Sequence, residues 1–194
     1  MDYDKLLKNF DFKEIEDYLK IENNLNQEKI SLLGYAFLNN KKFDLNLDNE
    51  KLFFLIKNSN LKKPIYYQFN NWRNCCTSPL MMALEFDKAH DLKLNNQMLT
   101  FMIENCNLLF NDEKNYNALM IALAHHDKLN SDNFDYLIKN CDVRNIADHG
   151  RGPAIAYAIE YGPPKQLEQK LTSEHWNRMI EGINIKEIRQ KKCE

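Results

Sequence analysis

Glycine and proline are scarce in this chain, five of each in 194 residues. A sheet-rich fold with many tight turns needs more of both, because glycine supplies positive φ and proline pre-sets turn geometry. Their shortage argues against an all-β architecture. No apolar run approaches the roughly 18 residues that would span a bilayer, and the opening MDYDKLLKNF lacks the apolar core of a secretory signal. We therefore expect no membrane partner, no signal peptide, and synthesis in a cytoplasm. Cysteine is present five times, an odd number without framework spacing, which suits reduced thiols better than disulfides. Neither sign of charge dominates: Lys+Arg is 26 against Asp+Glu 28, net −2, and the charges are interspersed, so no broad basic face points to nucleic acid. Enzyme signatures are missing too, with no phosphate-cradling glycine loop, no G-x-S-x-G and no H-E-x-x-H.

What the chain does have is apolar residues at helical spacing almost from end to end and 44% hydrophobic content, enough to bury a core. An all-α fold is expected. The 26 asparagines and the preference for lysine over arginine have the pattern of an AT-rich coding sequence. That suggests an intracellular bacterium, a parasite or a large virus.

Short phrases recur along the helices. SLLGYAF (31–37), SPLMMAL (78–84), NALMIAL (117–123) and PAIAYAI (153–159) align on Leu33, Leu80, Leu119 and Ile155, with Ala36, Ala83, Ala122 and Ala158 three residues on. A second phrase follows each of the first three: FFLIKNSNL (53–61), TFMIENCNL (100–108) and DYLIKNCDV (135–143). The alanines step by 47, 39 and 36 residues, near the length of a two-helix repeat. Ser78 reads as an N-cap with Pro79 in the first helical position, where its missing N–H costs nothing. Alanine lets two helices approach closely, and the leucine or isoleucine three residues earlier fills the gap between adjacent pairs. Leu80, Leu119, Ile103, Ile138 and Phe101 are the expected core. Each pair alone would leave one apolar side bare, so the pairs must stack and the terminal ones must differ. KEIEDYLK (13–20) reads as the second helix of an incomplete first unit, and HWNRMIEGINIKEIRQKK (175–192) as a polar-sided cap.

These phrases resemble ankyrin repeats. SPLMMAL is similar to the family's Thr-Pro-Leu-His-x-Ala opening, YLIKNCDV to its Leu-Leu-x-x-Gly-Ala-x-Val close, and NDEKNYNALM and ADHGRGPAI to its turn, where Asn115 and Gly150 would supply positive φ. The resemblance covers about residues 12–171. It departs from the family in two ways: the motif histidine is Gly34, Met81, Met120 and Ala156, and the two helices of a unit are spaced more widely, with Ala36 to Ile56 and Ala83 to Ile103 both 20 residues apart. The implied architecture is an ankyrin-like solenoid of about four to five degenerate units with capping helices. As one domain over 1–194, it has units near 1–28, 29–61, 77–110, 116–146 and 153–171, an inserted loop at 62–76, and a cap at 172–194. An unrelated α-solenoid or an irregular bundle is the alternative.

Residues that could carry chemistry have simpler readings. His125 and His126 suit a helix end, where they favour the C-terminal dipole, better than a metal site. Cys75 and Cys76 are adjacent rather than spaced for zinc or thioredoxin-type chemistry. Cys106 and Cys141 occupy equivalent positions and suit packing better than nucleophilic catalysis. We expect no catalytic residue, no cofactor and no metal.

The period itself breaks once. Ile103 to Ala122 is 19 residues and Ile138 to Ala158 is 20, but Ile56 to Ala83 is 27. The extra residues lie within LKKPIYYQFNNWRNCCT (61–77), which concentrates Tyr66, Tyr67, Phe69, Trp72 and Arg73, types enriched at interface hot spots. Either this segment is a recognition finger or its aromatics fold back as a lid over the first repeats. The resemblance implies a monomeric, non-enzymatic scaffold for another protein. It would be cytoplasmic, or delivered into a host cell as an effector; the alternative is a regulatory inhibitor or antitoxin-like domain that blocks an enzyme of its own organism.

Overall fold

The computed structural model describes residues 2–25, 30–69, 73–125, 128–147, 152–160 and 171–181, at 68, 69, 73, 74 and 125 through the backbone. They fall into two compact units, Met1–Asn107 and Leu108–Glu194. The first contains α1 (Tyr3–Asn9), α2 (Phe12–Glu22), α3 (Leu32–Asn39), α4 (Asn49–Asn58), strands β1 (Ile65–Phe69) and β2 (Arg73–Thr77), α5 (Pro79–Phe86) and α6 (Asn96–Asn105). The second contains α7 (Ala118–His125), α8 (Ser131–Asn140), α9 (Ala154–Glu160) and α10 (Ser173–Glu181). The protein is mostly helical, and among the described residues the only sheet is the two-stranded one.

Each helix from α1 to α8 begins the same way. Asp2, Asp11, Ser31, Asp48, Ser78, Asn95, Asn117 and Asn130 accept the N–H three residues on, at 2.8–3.2 Å. Each such cap satisfies an amide that the helix cannot, for about 1 kcal/mol. This is the local reason the chain breaks into short helices: eight-residue α3, α5 and α7 alternate with ten-residue α4, α6 and α8.

Packing within each unit is layered. In the first, α1 lies on α3 and α3 on α5, while α2 lies on α4 and α4 on α6; in the second, α7 lies on α9 and α8 on α10. Ala36, Ala83 and Ala122 are fully buried on the first-helix layer together with Leu80 and Leu119, and Ala158 is 4% exposed. Small residues are required where helix axes approach closely. Ile103 and Ile138 are buried as expected. Three expectations need correction. Phe101 is half-buried and meets Phe53 edge-on at 5.8 Å, because it points along the outer face of its layer. Ile155 is half-buried, not core. The first unit is a complete pair, since α1 precedes α2 and supplies the layer under α3.

The wide helix spacing has a specific structure. Residues 40–48 and 87–95 form the same connection 47 residues apart, with left-handed backbone at Asp44 and Asn46 (φ 49 and 51) and again at Asp91 and Lys93 (φ 52 and 55). The alternation turns Leu45 and Leu47, and Leu92 and Leu94, into the core. Buried Asn40 and Asp87 close these connections by accepting the N–H of Leu47 at 3.4 Å and of Leu94 at 3.0 Å. Asn115 has φ 58 as expected and closes a turn on Asp112, whose side chain accepts the N–H of Lys114 and Tyr116 at 2.9 and 2.8 Å. Gly150 lies outside the described residues.

Candidate functional site

The segment read as an inserted loop is a β-hairpin. Its antiparallel register pairs Ile65 with Thr77, Tyr66 with Cys76, Tyr67 with Cys75, Gln68 with Asn74 and Phe69 with Arg73. The β-branched and aromatic residues of IYYQF, facing RNCCT, favour the extended backbone that the helical neighbours do not. Phe69 and Arg73 form the last pair before the tip; Trp72 lies outside the described residues.

The root of the hairpin is fixed. Ile65 and Thr77 are 2% and 4% exposed, and β1 packs on α3 at Gly34. A Cβ at Gly34 would stand 2.4 Å from Ile65 Cγ2, so this helix carries glycine because a strand lies across it. On the approach to β1, Lys63 Nζ donates to the carbonyls of Asn23 at 2.7 Å and Leu25 at 3.0 Å, satisfying groups that the end of α2 leaves unpaired. Asn23 clamps the other side, donating to the Asn58 carbonyl and accepting the Asn60 N–H, both at 2.8 Å. Further up, Tyr67 meets Phe86 of α5 edge-on at 6.3 Å, and Phe86 meets His90 at 5.0 Å. Tyr66, Tyr67, Cys75 and Cys76 are all half-buried. Burial and neighbouring Lys41 hold the His90 imidazole below its ordinary range.

Beside the root lies a buried carboxylate. Glu22, 7% exposed, accepts the Leu32 N–H at 2.9 and 3.2 Å and the hydroxyls of Tyr3 and Tyr18, each at 3.2 Å. Burial pushes its carboxyl up from the usual range, and these donors oppose the shift. Tyr35 donates to Asp4 at 2.8 Å, and burial together with that carboxylate pushes its phenol up to about 12.

The other chemical candidates are structural. Burial pushes the Cys106 and Cys141 thiols up to about 12, which suppresses the nucleophilic thiolate. Buried His175 accepts the Thr172 N–H through Nδ1 at 3.2 Å, so its Nε2 carries the proton and faces Asp135, 3.6 Å away. His125 ends α7, and His126 lies outside the described residues. Among the described residues no group of three or more His, Cys, Asp or Glu could hold a metal ion, and no helix is long and apolar enough to cross a membrane.

Comparison with protein-family models, curated proteins and solved structures returns no match to this chain.

Of the five residues singled out in the sequence, the structure places Tyr66, Tyr67, Phe69 and Arg73 on the two strands. Sequence reasoning missed Gly34, Lys63 and Asn23, which set the hairpin's direction. Gly34 carried a signal, as the one glycine in the aligned first-helix phrases. Lys63 and Asn23 carried none, because their partners are backbone carbonyls and amides brought close only by folding.

Proposed function

We propose that this protein is a non-enzymatic scaffold of degenerate ankyrin-like repeats, stacked as an all-α solenoid, that holds another protein through the hairpin 65–77. The rooted hairpin is the observation that carries this reading. A surface arm anchored by Lys63, Asn23 and the Ile65–Gly34 contact, and lined with tyrosines, presents its residues without the ordering cost of a free loop. Layered first and second helices and the repeated caps support the ankyrin-like part. The scaffold acts as a monomer, so light scattering should return the chain mass of 23.1 kDa, and a stable dimer at micromolar concentration would contradict it.

The partner is a host protein met in the cell into which the scaffold is delivered. Capture from host lysate and from the producing organism's lysate tests this. A partner recovered only from host lysate supports the reading; an enzyme of the producing organism, recovered and inhibited, replaces it with the inhibitor reading. Trp72→Ala and Arg73→Ala should weaken the captured complex by roughly 2 kcal/mol each with the melting temperature unchanged. If Trp72→Ala instead lowers stability by about 3–5 kcal/mol, the segment is a lid.

A further inference from the structure

The second helices end on one recurring residue. Cys106 closes α6 and Cys141 closes α8 in the same extended conformation (φ −79, ψ 164 and φ −89, ψ 156). Their sulfurs face the backbone amides of Leu80 and Leu119, the second residues of α5 and α7. Those amides are among the donors that a helix leaves without a partner of its own, so the thiols complete the capping that Ser78 and Asn117 begin.

Ser59 closes α4 in this conformation (φ −86, ψ 152), and the corresponding amide is Leu33 of α3. Here the substitution of oxygen for sulfur leaves a gap. The Ser59 hydroxyl is shorter than a thiol, is buried, and has no hydrogen-bond partner among the described residues. No described residue accepts the Leu33 N–H either. A cavity of about 50 Å³ lies at this place, its wall including Glu22, Ser31, Leu33, Ser59, Lys63 and Ile65.

We propose that this cavity is a built site for ordered water, which bridges the Ser59 hydroxyl to the polar groups around it and does for α3 what the thiols do for α5 and α7. The physical requirements are met. A buried water needs about 10–15 Å³ of space for its centre and two to four polar partners. The wall offers a hydroxyl, a carboxylate edge and an unclaimed amide, whereas an apolar cavity of this size would stay dry. Because Lys63 and Ile65 belong to the hairpin root, the water sits in the joint between the hairpin and the first two helix pairs.

Two substitutions of Ser59 give opposite signs. Ser59→Cys restores the sulfur of the other units, displaces the water and should raise the melting temperature by about 2–4 °C. Ser59→Ala removes one of the water's anchors and should lower the melting temperature by a similar amount. A crystal structure of the unaltered protein should show a water peak within hydrogen-bonding distance of Ser59 Oγ, and that of Ser59→Cys should show sulfur against the Leu33 amide instead. A rise or no change in melting temperature for Ser59→Ala would mean that the hydroxyl is simply unsatisfied and would overturn the proposal. Density showing Ser59 Oγ bonded directly to Leu33, or no water peak at all, would overturn it as well.

Discussion

Gly34 and Ile65 occupy one space: a methyl group added at position 34 would lie 2.4 Å from Cγ2 of the isoleucine. Alanine at an ordinary helical site would stabilise by up to about 1 kcal/mol over glycine. Here overpacking decides the sign, because the obstructing methyl is on a β-branched, buried side chain with little room to rotate. Gly34→Ala should destabilise by about 1–3 kcal/mol in urea unfolding. The same change in an Ile65→Ala background should become neutral or stabilising, and equal losses in both backgrounds would show that the strand does not rest on α3.

The alanine layer is tested in the second unit, where Ala122 and Leu119 are both fully buried. Ala122→Leu should cost about 1–3 kcal/mol by overpacking, and Leu119→Ala roughly 2–5 kcal/mol by leaving a cavity. An Ala122→Leu protein with an unchanged melting temperature would mean that α7 and α9 do not meet at this face.

Thiol reactivity should separate the cysteines by position. Cys75 and Cys76 are half-buried on β2, whereas Cys106 and Cys141 are 6% and 7% exposed with thiols pushed up to about 12. Site-resolved mass spectrometry after brief alkylation at pH 8 should find the strand pair modified well before the helix-end pair. Labelling of Cys106 and Cys141 should follow the opening of their units, and urea should accelerate it. Equal rates at all four sites in buffer would contradict the burial.

Glu22 makes stability pH-dependent with a definite sign. Its folded carboxyl titrates above the ordinary value, first because of burial. The folded state therefore holds the proton more tightly than the unfolded chain, and stability falls as pH rises from about 4.3 through the raised value. Glu22→Gln cannot ionise. The stability difference between unaltered protein and variant, from urea titrations at pH 3.5 to 8, should shift against the glutamate across that window and be level above it. A difference that moves in the opposite direction would mean that the Tyr3, Tyr18 and Leu32 donors outweigh burial.

Much of this architecture can be read from the chain because its causes are local. The caps at Ser31, Ser78 and Asn117, the proline after Ser78, the alanine three residues beyond each aligned leucine and the turn at Asn115 all act within a few residues of themselves. They repeat often enough to show the helix pairs. Even the doubled left-handed connections were written twice, as DLNLDN and DLKLNN, though asparagine, aspartate and lysine signal positive φ less plainly than glycine would. What tertiary structure alone decided is where the interrupted period goes. IYYQF can be an aromatic loop or a strand with equal local logic. It became β1 because RNCCT folds back to complete its hydrogen bonds, Gly34 leaves a seat for Ile65, and Lys63 reaches the carbonyls at the end of α2. Those partners lie about 10 to 40 residues away along the chain, and only the packed helices bring them within contact distance.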